Sequence, residues 1–315
     1  MNDRRGLWIA LLITAMVLCG CCALAWATGA LVLNGVRAGV VAIEAEQDEW
    51  QSWLRSLRDR VEEWSDSFGV WTGNATVSAS EIFTREVTVV GPTTLDLVVS
   101  AGDVTIRSGP AGKVAVTAVK RAYGATQADA ERRMAAIAIN VDQIGDKVWV
   151  RVDNPFTTGN VGRPASVDLT ITVPQETALT ARVDVGRLRV AELVGDVEVA
   201  VQVGEVILAD VVPVRELTVK TRVAGVDFAA PLAPNARYEF VTDVGKIALR
   251  LPADSAFHLD ARSDIGDVDV EFPVVGRADR DLVIGKDVRG EVGQNPTASL
   301  YLRSRVGEVT IRKER

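Results

Sequence analysis

The chain has 315 residues, 35 Lys+Arg against 42 Asp+Glu for a formal net charge of −7, and 48% hydrophobic but only 5% aromatic residues. That acidic balance argues against a nucleic-acid partner. One histidine, His258, and three cysteines confined to one apolar run, Cys19, Cys21 and Cys22, exclude a Cys/His zinc site and a disulfide framework.

The first element is a membrane segment. No charged residue falls between Arg5 and Arg37, and Leu7 to Leu33 is 27 positions, longer than the roughly 20 a helix needs to cross the hydrocarbon core. A transmembrane helix over 7–34 is expected, anchoring the chain in lipid. Arg4 and Arg5 before it favour an inside N-terminus and an outside C-terminal domain. Three other readings stand beside this one. A cleaved signal peptide would end at Ala23–Ala25, a lipoprotein would carry lipid on Cys21, and the opposite orientation would leave the large domain in the cytoplasm. The cysteines are read as small apolar helix residues, with palmitoylation as the other reading.

A juxtamembrane amphipathic helix is expected over 40–69. Ile43, Trp50, Leu57 and Trp64 form one seven-residue series, and Leu54, Val61 and Phe68 continue a second that starts at Gln47. Gly69 is a natural stop. Such a helix either packs on a neighbouring surface or lipid, or forms a coiled coil and a homo-oligomer through residues 43–68. Two tryptophans are bulky for a seam and favour the first reading.

From Ala75 to the C-terminus the pattern is β. Glycines recur at Gly186, Gly195 and Gly204, then at Gly245, Gly266 and Gly307, each with an aliphatic residue before it and another two places on. Before each glycine the inward candidates lie at odd offsets (Tyr238, Phe240, Thr242, Val244), after it at even ones (Ile247, Leu249, Leu251). The phase slips by one, so the chain must turn at the glycine to keep both flanks on one interior. Antiparallel hairpins would do this, and so would a solenoid. The spacing of 18 to 21 residues favours a mainly β single-chain β-solenoid over 75–315, with coils of roughly 20 residues. Val244, Ile265 and Val306 are then expected inside. In "RVAGVDF" Ala224 holds the corner place, and Gly225 is expected to take over its conformational role.

Gly102 in "TTLDLVVSAGDVTIRSG" is an earlier corner. "ATQADAERRMAAIAINV" begins with Thr126 and Asp129 spaced as a capping box, which predicts a short helical insert that closes the N-terminal end of the stack. "DKVWVRVD" and "SVDLTITVP" read as strands.

With these segments in view, the chain resembles the bacterial putative-adhesin family, a domain family of unknown function whose members are membrane-associated β-solenoids. The resemblance covers roughly residues 85–315. It rests on "VDLTITVPQETALTARVDVGRLRV", the aliphatic-Gly-acidic-aliphatic corners, the helical insert and "LYLRSRVGEVTIRK". It implies a cell-envelope module, in some cases associated with envelope-stress regulators. Several corners carry valine or isoleucine before the glycine where the family's common pattern has serine.

Asp103, Asp184, Asp196, Glu205, Asp243, Asp264, Asp267 and Glu308 crowd the corners. Stacked carboxylates can hold calcium or form a glycan-cleaving pair. Arg187, Arg222 and Lys246 stand at matching places in other coils, and a row of mixed sign fits turn chemistry and solubility better. No catalytic, cofactor-binding or metal residue is assigned, and no enzyme or cofactor is expected. His258 is read as a turn or surface residue, Asn74 as a sequon only in a glycosylating host, and the terminal "RKER" as a solvated end. The sequence points to a membrane-anchored, extracytoplasmic, adhesin-like binding module whose partner is an envelope protein or glycan. The alternatives are a regulatory or scaffold subunit of an envelope-stress response and, more distantly, a carbohydrate-active enzyme.

Overall fold

A computed structural model of the chain describes residues 77–155, 165–281 and 285–314, all within one unit, Ser67–Arg315. The segments 7–34 and 40–69, the three cysteines and Asn74 lie outside the described residues. Among the described residues no helix is long and apolar enough to cross a membrane.

The described chain is mainly β, one large mixed sheet with one short helix. In order the strands are β1 (Val77–Thr88), β2 (Thr93–Ala101), β3 (Val104–Ser108), β4 (Lys113–Gly124), β5 (Ala138–Ile144), β6 (Lys147–Asp153), β7 (Ala165–Val173), β8 (Thr177–Ala191) and β9 (Val197–Ala209). They continue as β10 (Glu216–Ala229), β11 (Arg237–Val244), β12 (Ile247–Leu251), β13 (Phe257–Ile265), β14 (Val268–Val270), β15 (Val274–Asp281), β16 (Lys286–Val292), β17 (Ala298–Val306) and β18 (Val309–Lys313). The helix is α1 (Gln127–Ala135).

Seven rungs, each a bent strand or a strand pair meeting at a corner, stack side by side in parallel. Leu95 faces Leu179, Leu179 faces Val197, Val197 faces Leu217, and Leu217 faces Tyr238. Beyond the corner Val104, Leu188, Val206, Val226 and Ile247 align in the same order. The pairing across every corner is therefore parallel, and antiparallel hairpins at Gly-x are ruled out.

Chain order breaks near the end. The last rung, β17–β18, lies between β11–β12 and β13–β14, because Leu300 pairs with both Tyr238 and Leu259. The 41 residues from Gly266 to Gly307, about twice the coil length expected from the spacing, are not two successive coils. They hold the antiparallel pair β15–β16, with β16 also antiparallel to β13, and then a strand that returns inside the stack. Antiparallel β16 finishes that end without leaving the rung edge at β13 open.

The opposite end corrects a second expectation. The helix forms as expected: Thr126 Oγ1 accepts the Asp129 N–H at 3.2 Å, and Asp129 Oδ2 accepts from Ala125 N at 3.3 Å. The Arg132 guanidinium bonded to Asp129, foremost, holds its carboxyl down at about 2. But α1 packs on β4 and β1 and is not what closes the rung edge. Strand β5 pairs antiparallel with β6, and β4 pairs antiparallel with both β7 and β1. A strand satisfies an edge's free N–H and C=O groups; a helix, whose own are already used, cannot.

Inside, one continuous apolar core takes in residues from Val89 to Ile311. It is chiefly aliphatic, with an aromatic cluster where Phe228 meets Tyr238 and Phe240 at 5.7 and 5.4 Å between ring centres. Tyr238 satisfies its buried hydroxyl by accepting the Ala233 N–H at 2.8 Å, and burial pushes its pKa up to about 12.

Candidate functional site at the outer corner

The corner itself is built from four outward positions. In β8 the inward residues are Val183 and then Leu188; Asp184 to Arg187 between them all face away from the core. In β8 that run of four outward residues lets the strand bend while both arms keep their apolar side chains inside; in β10 the third place is Ala224, which is buried. This overturns the inward reading of Val244, Ile265 and Val306. They are 43%, 46% and 37% exposed, as are Val185, Val203 and Val223 at 50%, 44% and 44%. The odd-offset rule holds up to three residues before the glycine and fails at the vertex.

The glycine column explains the nine-residue beat. Gly186, Gly204, Gly245, Gly307 and Gly266 all have φ between +137° and +152°. A Cβ on Gly204 would lie 1.8 Å from the Gly186 carbonyl oxygen, and one on Gly307 1.9 Å from that of Gly245. Each rung's carbonyl occupies the space where the next rung's side chain would begin. Gly195 belongs to the opposite turn, where a Cβ would lie 2.3 Å from the Thr177 carbonyl oxygen. Two different corners therefore share one beat. Gly225 does not inherit this role: it is outside the positive-φ set, and a Cβ there would meet its nearest atom at 4.0 Å.

Beneath the corner sits a feature the sequence reading passed over. Thr242 Oγ1 donates to the Ala224 carbonyl at 3.2 Å, Ser304 Oγ to Gly245 O at 3.0 Å, and Ser263 Oγ to Gly307 O at 2.7 Å. The signal was present as a hydroxyl three residues before glycine in "TDVG", "SRVG" and "SDIG". Each hydroxyl caps a carbonyl of the adjacent rung and locks the stack from inside.

The acidic residues are brought together with cations rather than with each other. Arg187 reaches Glu205 at 2.6 Å and Asp103 at 3.5 Å. Lys246 pairs with Glu308 at 3.0 Å, Arg305 with Asp243 at 3.4 Å, and Lys286 with Asp267 at 3.2 Å. Asp264 lies between Arg262 at 2.6 Å and Arg303 at 3.4 Å. Asp184 accepts from the Gln202 amide at 3.4 Å. Asp196 is at the other turn, held by the Arg215 guanidinium at 2.6 Å and by the Arg215 and Glu216 N–H groups. Burial works against its charge, but those bonds outweigh it and keep the carboxyl below its usual range. Among the described residues no group of three His, Cys, Asp or Glu side chains could hold a metal ion.

His258 is on β13 and faces outward, 3.4 Å from Glu291, beside a shallow depression of about 360 Å³ that Arg237, Asp260 and Tyr301 also line. Arg222 is exposed at the corner beside Val223. Of the C-terminal basic group, Arg312 pairs with Asp269 at 2.7 Å. One carboxyl outside the corner is perturbed the other way: burial pushes Asp227 up. It stands on the outer side of β10 beyond Ala224, where no sequence signal marked it.

The architecture defines a class, a β-rich protein of stacked parallel rungs. No family model matches the chain, and no curated protein sequence does. Among solved structures it is similar to a "putative cell adhesion protein" from Clostridium sporogenes, at 13% identity over 76% of this chain and 100% of that one, with a TM-score of 0.43. It is also similar to a "putative adhesin" from Bacteroides fragilis (15% identity, 74% and 97% coverage, TM-score 0.41). A third is a "putative lipid binding protein" from Parabacteroides distasonis (10%, 74% and 97%, TM-score 0.21). The structural matches over most of the chain thus include bacterial adhesin-like proteins, the kind of protein that the sequence resemblance named.

Proposed function

We propose that the chain is a non-enzymatic β-solenoid, anchored in the cell membrane by residues 7–34 and displayed outside the cytoplasm, where it binds an envelope protein or glycan. The observation that carries this reading is the way the corner carboxylates are used. Asp103, Glu205, Asp243, Asp264, Asp267 and Glu308 each meet a cation at the surface of a rigid stack. A general acid and base need a water-excluding cleft and two carboxyl groups with divergent environments. Paired charges along an ordered outer corner serve recognition instead. The apolar run Leu7–Leu33 after Arg4 and Arg5 supports the anchor and its orientation.

Two measurements on the full chain test the reading. Protease added to intact spheroplasts should degrade the β domain; protection until lysis would put the domain in the cytoplasm and end the adhesion reading. Cells displaying the chain should gain attachment to isolated envelope material over cells without it. Accessible domain without any gain in attachment would favour the regulatory or scaffold role in envelope stress.

A further inference from the structure

Seen along the stack, the outer corner is four parallel columns. The first, two residues before the glycine, holds Asp184, Gln202, Arg222, Asp243, Arg305 and Asp264. The second is the exposed aliphatic ridge Val185, Val203, Val223, Val244, Val306 and Ile265, in register rung by rung. The third is Gly186, Gly204, Ala224, Gly245, Gly307 and Gly266, nearly without side chains. The fourth holds Arg187, Glu205, Gly225, Lys246, Glu308 and Asp267. Ridge and furrow lie side by side, and a charged column flanks each.

A two-fold axis along the stack, between the second and third columns, exchanges the first column with the fourth and the ridge with the furrow. We propose that this corner is a seam between two copies of the chain, parallel to each other, with each valine ridge seated in the partner copy's glycine furrow. The charges agree with that arrangement at equal heights. Asp184 would meet Arg187 of the second copy, Asp243 would meet Lys246, and Arg305 would meet Glu308, each pair occurring twice. One height sets Asp264 against Asp267, but each of these already has its own cation, Arg303 and Lys286. The antiparallel alternative at full overlap sets ridge on ridge, Asp184 against Asp264 and Glu205 against Glu308, so shape favours the parallel seam.

The six-rung ridge spans five steps of about 4.8 Å, roughly 24 Å. A strip of that length and only four residues wide covers less than the ~800 Å² per partner of an ordinary specific interface. The seam is therefore weak in dilute solution and is formed where copies are concentrated, as tethering to one membrane would do. This inference uses the anchor of the proposed function only for concentration; the seam's geometry does not depend on it.

Disulfide trapping in the full chain tests it. In a background with Cys19, Cys21 and Cys22 changed to serine, Val185→Cys and Val306→Cys are introduced singly and oxidised with copper–phenanthroline in membranes. In the parallel seam each residue sits beside the axis, so each single variant should give a disulfide dimer. In the antiparallel arrangement each is at least three rungs, about 14 Å, from its own copy. Dimer only when the two variants are mixed would overturn the parallel seam. Ile82→Cys and Ile144→Cys, exposed positions on β1 and β5, report random collision. Equal trapping at these positions, or none at the ridge, would overturn the seam altogether. Adding Val203→Asp and Val244→Asp should cause loss of the ridge dimer while circular dichroism stays that of the parent; persistence of the dimer would also overturn it. Trapping is scored only on chain recovered with the membrane fraction, so an absent ridge disulfide there overturns the seam, whereas absence of the chain from that fraction overturns the anchor of the proposed function instead.

Discussion

At Gly245 the backbone takes φ +152°, and the place of a Cβ lies 2.0 Å from the Ala224 carbonyl oxygen. One rung earlier, Ala224 holds the same place in the stack, keeps its Cβ in the core and stays out of the positive-φ region. So the strand can bend without glycine. What demands glycine is the close approach of a neighbouring rung's carbonyl, together with the backbone conformation that accommodates it. The alanine rung also interrupts the other columns. Gly225 is a neutral gap in the charge row, and Thr221, at the hydroxyl place, has a buried Oγ1 with no partner, whereas Thr242, Ser304 and Ser263 all have theirs. One substitution at the corner thus coincides with a lapse in the inner hydroxyl column.

The largest test of this contrast is at the corner residues. Gly245→Ala and Gly307→Ala should each cost about 3 kcal/mol or more, since strained φ and a backbone clash add. Gly225→Ala should be neutral or stabilise by about 0.5 kcal/mol, because space is open and the unfolded chain loses freedom. Ala224→Gly should lose about 1 kcal/mol from backbone entropy and a missing core methyl. Urea midpoints of the four variants rank them. Equal tolerance at Gly245 and Gly225 would show that carbonyl stacking does not set the corner.

The hydroxyl column gives a smaller effect with opposite signs. Thr242→Val removes a bonded hydroxyl and should destabilise by about 1 kcal/mol; Thr221→Val removes an unpartnered one and should stabilise by about as much. Thermal or urea unfolding of both reads the sign. A loss at Thr221 as large as at Thr242 would mean that the Thr221 hydroxyl is satisfied in solution.

The sequence revealed the repeat because glycine spacing and alternation record backbone constraints directly, and the helix because Thr126 and Asp129 carry their own local signal. It did not reveal the vertex. Alternation carried through to Val244 predicts an inward side chain, yet the last two residues before the glycine both turn outward, and composition cannot distinguish a buried valine from an exposed one. The return of β17 between β11 and β13 was illegible for another reason. Tyr238, Leu259 and Leu300 present equivalent apolar places, so neighbour order is decided by loop length and end closure. The corner acids were visible individually, but apart from Arg262 beside Asp264 their cations come from other strands at sequence distances that only the register specifies.

The smallest effect expected is electrostatic and lies in the end rung, β13–β14. The hydrogen bond from Lys286 is the main cause that holds the Asp267 carboxyl below its usual range, and the Val268 N–H adds to it. A carboxyl whose folded pKa is depressed contributes stability that is fully present above its unfolded value, about 3.9, and is lost as pH falls through the lower folded value. Asp267→Asn should therefore leave unfolding at neutral pH within about 1 kcal/mol of the parent, as expected for an exposed pair, and should flatten the fall in stability below about pH 4. Urea midpoints of parent and variant from pH 6 down to acid read the difference. A steep acid limb unchanged in Asp267→Asn would show that Lys286 and Asp267 are not paired in solution.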